Sequence, residues 1–170
     1  MRDRAGRDPG TTHLATIGVY GFTAETFVAT LRACDARVLI DVRQRRGVRG
    51  SAYAWANSRR LQALVADANI AYPHHRELAP TTELRQLQYR EDARTGVGKR
   101  SRVRLADSYR DRYTREILDR VDLAAFVASL APEGASVLLC VERDPDACHR
   151  SIIAERIHDR YDVPLVHLLP

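Results

Sequence analysis

A cysteine, a histidine and an arginine stand side by side near the carboxyl-terminal end of the sequence, as Cys148, His149 and Arg150. They follow the segment Asp-Pro-Asp at 144–146, which suits the start of a helix. The helix dipole and nearby arginines lower the pKa of a thiol in this position. His149 is then placed to act as a base or to donate a hydrogen bond to an oxyanion. The alternative is structural, with a buried thiol and a histidine bonded to a backbone carbonyl.

Two carboxylates, Asp41 and Glu142, follow the apolar runs at 38–40 and 136–141. In an open parallel sheet the carboxyl ends of the strands meet at one edge, where ligands bind. We therefore expect both carboxylates to lie close to residues 148–150. A buried charge is costly unless it is paired. Each carboxylate is thus either part of an active site or one half of a structural salt bridge with a nearby arginine.

The predicted site combines candidate catalytic residues with candidate ligand-binding residues. The catalytic candidates are Asp41, Glu142, Cys148 and His149. The ligand-binding candidates are Gly18, Tyr20, Arg43, Arg143, Arg150 and Ser151. Carboxylates and several arginines at one site favour a polar, phosphate-bearing ligand such as a nucleotide. We predict an enzyme or a small-ligand-binding domain, and the sequence does not decide between the two.

Familiar cofactor motifs do not occur in the sequence. Residues 18–21 lack the third glycine of a dinucleotide fingerprint, and there is no Walker loop. A cysteine-phosphatase loop starting at Cys148 would need an arginine six residues later, where Ala154 stands. Cys140 and Cys148 lack the paired spacing of common metal sites, and the apolar run before Cys140 predicts that its thiol points into the core. We predict no metal and no other cofactor.

The elements that must position these residues alternate along the chain. Short apolar runs predict strands at 14–19, 37–42, 70–73, 136–141 and 165–168. Amphipathic segments between them, such as the stripe of Leu61, Leu64 and Val65, predict helices. This order predicts a three-layer α/β/α fold with a mostly parallel, five-stranded, Rossmann-like sheet. We assign residues 13–170 to a single domain and residues 1–12 to a disordered tail.

Positive charge is concentrated in two segments of this chain, which has 170 residues and a net charge of +5. Residues 43–60 contain six arginines and residues 94–104 contain four arginines and one lysine, with no acid in either segment. Such segments attract phosphates or acidic partners. An alternative function is therefore a nucleic-acid-binding module that uses both segments. A third alternative is a protein-interaction domain.

Composition also bears on the compartment. The sequence has no apolar stretch of eighteen residues, so we predict no membrane partner. The first residues lack the apolar core of a secretory signal, and three cysteines do not suggest a disulfide framework. These observations predict a cytoplasmic protein and leave its oligomeric state open.

Five blocks of residues along the chain form a recognisable set. They are Thr16-Ile17-Gly18, Asp41-Val42-Arg43, Ile70-Ala71-Tyr72 with Glu77-Leu78, Leu139-Cys140-Val141-Glu142, and Cys148-His149-Arg150-Ser151. Together they resemble the bacterial and archaeal family called "domain of unknown function 488". They occur in the right order over residues 14–168, and the last block is the most specific. The resemblance implies a compact cytoplasmic domain, and it brings no established reaction, cofactor or substrate.

The sequence departs from the family pattern in two places. Residues 44–47 read Gln-Arg-Arg-Gly where a proline usually follows the Asp-Val-Arg block. Ala79 and Pro80 stand where a pair of glycines usually follows the Glu-Leu block. Both places lie at the rim of the predicted site, so the departures bear on the identity of the ligand more than on the fold.

Overall fold

The computed structural model describes residues 12–98 and 100–170. The predicted tail therefore lies outside the described residues, apart from residue 12, and so does Lys99 of the second basic segment. The strands are β1 (His13–Ile17), β2 (Ala36–Asp41), β3 (Ala135–Leu139) and β4 (Leu165–Leu168). The α-helices are α1 (Ala24–Ala33), α2 (Ser58–Ala66), α3 (Thr82–Thr95), α4 (Asp107–Glu116), α5 (Leu123–Ala128) and α6 (His149–Tyr161).

The four strands form a parallel sheet in the order β2-β3-β1-β4. Ile17 of β1 and Asp41 of β2 are both in register with Leu139 of β3, so the three strands end at the same level. The predicted α/β fold with a parallel sheet is confirmed. A Rossmann-like order is not confirmed, because β1 is separated from β2 by β3, whereas the first two strands are neighbours in the doubly wound fold.

The predicted strand at 70–73 is wrong, and Pro73 explains why. This segment runs along the outer edge of β2, where the amides of Leu39 and Asp41 donate to the carbonyls of Ala71 and Pro73 at 2.8 and 2.9 Å. Only isolated bridges form there, from Val38 to Ala71 and from Asp41 to His74. Pro73 has no amide hydrogen, so the ladder cannot continue through it. The sheet of the described residues has four strands, not five.

Successive side chains of each strand point to opposite faces of the sheet, and helices cover both faces. Ile40, Leu138 and Cys140 pack on one face with side chains from α3, α4, α5 and α6. Leu39 and Val137 pack on the other face with side chains from α1 and α2. These two cores give the three layers expected from apolar parallel strands. Within residues 12–98 and 100–170, no helix has both the length and the apolar character needed to cross a membrane.

Candidate functional site

A cavity of about 540 Å³ lies beyond the carboxyl ends of β1, β2 and β3. Its walls include the arginines Arg43, Arg45, Arg49, Arg85, Arg100 and Arg102. Glu142 is the one carboxylate among the described residues that line it. We call it the arginine-lined cavity. Its walls come from the segments that follow three strands and from α3 and α4, so it forms only when the sheet and these helices pack together.

The shape of the turn between β3 and α6 depends on three of the predicted ligand-binding residues. Arg150 is fully buried and donates to the carbonyls of Glu142 and Arg143 at 2.6 and 2.9 Å. The Ser151 hydroxyl donates to the carbonyl of Cys148 at 3.0 Å. Gly18 lies so close to this turn that a Cβ atom there would be 1.9 Å from the Glu142 carbonyl oxygen. In this structure the three residues shape the turn and do not line the cavity.

Cys140, Cys148 and His149 meet at the floor of the cavity, and we call them the thiol–histidine cluster. His149 Nδ1 lies 3.8 Å from the sulfur of Cys140 and 3.7 Å from that of Cys148. His149 Nε2 lies 2.8 Å from the carbonyl oxygen of Val42. A carbonyl only accepts, so Nε2 carries a hydrogen and Nδ1 faces the sulfurs. All three residues are buried, and their donor atoms lie within 4.8 Å of one another, so together they could hold a metal.

The two thiols of this cluster differ in acidity. Burial opposes ionisation of Cys148, but the hydrogen bond with Cys140 and the electrostatic influence of His149 and Arg150 outweigh it and lower the pKa of Cys148 well below its usual value. The hydrogen bond with Cys148 and burial raise the pKa of Cys140 well above its usual value. Cys148 is therefore the thiol of the pair that ionises more readily, and its thiolate is the form that acts as a nucleophile or a metal ligand.

The structure confirms one expectation about Cys140 and adds a contact that the sequence did not predict. The apolar run before it predicts a thiol that points into the core, and the residue is indeed buried, with 7% of its surface exposed. Its sulfur nevertheless lies against His149 and lines the cavity. Cys140 follows the last residue of β3, at the point where a side chain on the α6 face meets the open edge of the sheet.

Arg102 organises the carboxylates beside the cavity, and sequence reasoning missed it as a site residue. Its guanidinium lies 2.6 Å from an oxygen of Asp92 and 3.3 Å from an oxygen of Glu142, and it also donates to the carbonyl of Ala147. Asp92 accepts in addition from Gln88 at 2.8 Å. The sequence does show the four-residue spacing that puts Gln88 and Asp92 on one face of α3. The pairing of Asp92 with Arg102, ten residues later, is set by tertiary packing.

Asp41 is not part of the thiol–histidine cluster. Its carboxylate is fully buried, forms a salt bridge of 2.7 Å with Arg43 and accepts a hydrogen bond from the Tyr72 hydroxyl. Burial and the hydrogen bond to Asp41 raise the pKa of Tyr72, so this phenol stays protonated and donates. Asp41 alternates with Ile40 and Val42, whose side chains pack on the α6 face, so its carboxylate lies on the opposite face of the sheet. The geometry favours the structural alternative for Asp41.

The remaining predicted residues divide between the cavity and the surrounding structure. The cavity is lined by Tyr20, Arg43, Glu142, Cys148 and His149. It is not lined by Gly18, Asp41, Arg143, Arg150 or Ser151. Arg143 is exposed and contributes its carbonyl to the turn. The functional roles of all ten residues stay predictions.

The two basic segments of the sequence meet at the rim of the cavity. Arg100, from the second segment, donates to the carbonyl of Arg49 in the first at 3.4 Å. Its guanidinium lies 5.1 Å from the ring centre of Tyr20 and 5.7 Å from that of Tyr53, within range of cation–π contact. Deeper in the cavity, burial raises the pKa of Tyr109 well above its usual value, so this residue presents a neutral phenol.

The fold and the site together define a small α/β protein with a cationic cavity at the carboxyl edge of a parallel sheet. The family model described as "Domain of unknown function DUF488" matches residues 23–157 of the chain. The chain therefore belongs to this family, as the sequence blocks predicted. No curated protein and no solved structure is significantly similar to it.

Proposed function

We propose that this protein binds a phosphate-bearing small ligand, such as a nucleotide, in the arginine-lined cavity. The observation that carries the proposal is the excess of positive charge in the walls. Arg43 and Arg102 are paired with buried carboxylates. The other wall arginines have no ion pair among the described residues, and these are Arg45, Arg49, Arg85 and Arg100. Arginine is the side chain best suited to hold phosphate oxygens, because its planar guanidinium donates two parallel hydrogen bonds. Glu142 is already paired with Arg102, so it does not cancel the charge of the rim.

The volume and lining of the cavity favour a small ligand over a flat macromolecular contact. A volume of about 540 Å³ falls within the usual range of roughly 300–1,000 Å³ for ligand pockets. Tyr20 and Tyr109 add aromatic surface on which an organic group can pack. The thiol–histidine cluster at the floor supplies groups that can act on a bound ligand, which makes an enzyme the natural extension of the binding proposal.

The test is calorimetric titration with nucleoside mono-, di- and triphosphates, using the matching nucleosides as ligands without phosphate. We expect binding that depends on phosphate, and a ligand at about 100 times its dissociation constant should stabilise the fold by roughly 2.7 kcal/mol. The double substitution Arg49→Gln/Arg100→Gln should weaken binding by at least about tenfold, because a hydrogen bond to a charged group contributes roughly 1.5–3 kcal/mol.

Arg59→Gln/Arg60→Gln is the matched control, because it changes the net charge equally on exposed side chains of α2 that do not line the cavity. It should leave the affinity for the small ligand within about twofold of wild type. If none of the phosphates binds, or if both double variants weaken binding equally, the proposal fails.

A second candidate is a nucleic-acid-binding module. The observation in its favour is that two acid-free basic segments, far apart in the sequence, meet at Arg49 and Arg100. Tyr20 and Tyr53 beside them resemble the stacking surfaces used for unpaired bases. Both double variants should weaken nucleic-acid binding, since the whole basic surface contributes there, and this separates it from the small-ligand proposal. The protein-interaction alternative and the cytoplasmic location stay predictions.

A further inference from the structure

We propose that Cys140, Cys148 and His149 form a binding site for a thiolate-preferring divalent metal ion, with Zn²⁺ as the ion that this donor set fits best. Two cysteine sulfurs and one imidazole nitrogen are typical zinc ligands, and three protein ligands are the number found in zinc sites that keep one position open. The proposal does not rest on phosphate binding, because it concerns the thiol–histidine cluster alone.

The nitrogen–sulfur distances within the cluster are close to those of a tetrahedral site. With Zn–S bonds of about 2.3 Å and Zn–N bonds of about 2.0–2.1 Å, sulfur and nitrogen ligands around one ion lie about 3.6 Å apart. His149 Nδ1 lies 3.8 Å from Cys140 Sγ and 3.7 Å from Cys148 Sγ. The three donor atoms all lie within 4.8 Å of one another. A metal ion needs only small side-chain adjustments to contact all three.

The surroundings orient His149 as a metal ligand. Metal-binding histidines usually donate their other ring N–H to a carbonyl or carboxylate, which fixes both the ring and the tautomer. His149 Nε2 lies 2.8 Å from the carbonyl of Val42, which directly follows β2. In the neutral imidazole, this contact leaves Nδ1 with its lone pair facing the thiols. The imidazole is therefore held in the required tautomer by a backbone that the sheet keeps in place.

The charge of the buried surroundings suits two ionised thiols. Arg150 is fully buried and donates to two backbone carbonyls. Within residues 12–98 and 100–170, no carboxylate lies within 4.0 Å of its guanidinium. A buried cation beside thiols favours the thiolate, which is the form of cysteine that binds a metal.

The fourth coordination position opens into the arginine-lined cavity, because all three ligands are part of its wall. A water molecule or an oxygen atom of a bound anion can occupy it. The three ligands lie next to regular elements: Cys140 directly follows β3, Cys148 directly precedes α6, and His149 is the first residue of α6. A site with these properties binds a metal and keeps it accessible to a ligand, which distinguishes it from a closed structural zinc site.

The test is metal binding by the full chain after removal of bound metal with a chelator, under a reducing agent that does not itself bind metals. Titration with Co²⁺ should reach one ion per chain and give the intense near-ultraviolet absorption of thiolate-to-cobalt charge transfer. Zn²⁺ should then displace the Co²⁺ and abolish this absorption. These measurements contain no phosphate ligand, and the nucleotide titrations are run with chelator present, so the two proposals can fail separately.

Cys140→Ser and Cys148→Ser should each remove most of the charge-transfer absorption. Each should weaken Zn²⁺ binding by more than about 100-fold, because even outer partners of a metal ligand contribute roughly 10- to 100-fold. Cys34→Ser is the matched control, since this thiol lies in the core on the other face of the sheet and should leave both readings unchanged.

If a cysteine variant does not fold, X-ray absorption of the Zn²⁺-loaded wild-type chain gives an independent reading, with two sulfur neighbours expected around the ion. The proposal is overturned if the reduced chain binds much less than one Co²⁺, if the bound Co²⁺ shows no thiolate charge transfer, or if Cys34→Ser loses as much absorption as the two ligand variants.

Discussion

Single residues at the edge of this sheet show how burial decides the role of a charge. Asp41 and the thiol–histidine cluster lie at the same end of the sheet, yet Asp41 faces α1 and α2 while the cluster faces α6. Asp41 accepts bonds from the Arg43 backbone, the Arg43 guanidinium and the Tyr72 hydroxyl. A carboxylate whose oxygens are all engaged in this way holds the segment after β2 in position and has little capacity left for a substrate.

Asp41→Asn should therefore act mainly on stability. It leaves the guanidinium of Arg43 buried without its anion, and breaking a buried pair costs about 3–5 kcal/mol. The free energy of unfolding, measured by urea titration, should fall by that amount. Asp35→Asn is the control, because the Asp35–Arg37 pair is largely exposed and should contribute no more than about 1 kcal/mol. Equal losses in the two variants would contradict a structural role for the buried pair.

Cys148 should be the most reactive of the three thiols when chelator keeps the site free of metal. It lines the cavity at the first turn of α6, whereas Cys34 is buried in the other core and donates to the carbonyl of Leu31. Timed labelling with iodoacetamide at neutral pH, followed by mass spectrometry, should show Cys148 modified before Cys34 and Cys140. Labelling of Cys34 at the same rate would contradict this prediction. It would mean that access of the reagent, and not the environment at the start of α6, sets the reactivity of all three thiols.

At the scale of elements, the site depends on how closely β1 approaches the turn after β3. Gly18 follows the last residue of β1, and the turn is drawn against it by the bonds that Arg150 makes to the carbonyls of residues 142 and 143. The close approach leaves no room for a side chain. This explains a glycine there without any contact to a ligand, although the sequence alone made Gly18 a binding candidate.

Gly18→Ala should push the turn away from β1 and disturb the floor of the cavity. The new methyl group would lie 1.9 Å from the Glu142 carbonyl oxygen, and overpacking of this kind costs about 1–3 kcal/mol or more. Urea titration should show this loss. Gly47→Ala is the control, because its nearest neighbour is Asn57 Oδ1 at 3.8 Å, and it should change stability by less than about 0.5 kcal/mol. A neutral Gly18→Ala would mean that the turn moves freely.

At the scale of the whole molecule, the net charge of +5 is less informative than its arrangement. Exposed arginines of two distant segments gather at one rim, while the acids near the cavity are buried in pairs such as Asp92–Arg102. A surface of this kind attracts anions from a distance and accelerates their arrival at the site.

Because of this arrangement, the salt dependence of nucleic-acid binding measures how many rim arginines contact phosphates. If single-stranded nucleic acid binds, log affinity should fall by about 0.7 per phosphate contact for each log unit of salt. Arg45→Gln/Arg49→Gln/Arg100→Gln removes three cationic side chains from the cavity wall, so the slope should flatten by up to about 2. Gel-shift titrations at several salt concentrations give the slopes. Absence of binding at low salt would rule out the nucleic-acid candidate.

Local patterns in the sequence determined the alternation of strands and helices, the parallel sheet and the family. These features depend on spacing along the chain, as with the apolar runs that became β2 and β3. The fifth strand failed because one missing amide hydrogen, at Pro73, outweighs a favourable apolar pattern. The sequence also indicated that residues 148–150 and Glu142 would be neighbours, because both lie beyond the carboxyl end of a predicted parallel strand.

Only the tertiary structure decided which side chains share a site. A shift of one residue along β2 would move the Asp41 side chain to the other face of the sheet. The observed register places its carboxylate away from His149. The pairing of Arg102 with Asp92 and Glu142 joins residues from three separate segments, and no spacing along the chain encodes it. The approach of Cys140 to Cys148 and His149 arises in the same way, because the end of β3 and the start of α6 are brought together by a turn whose shape depends on Arg150 and Gly18.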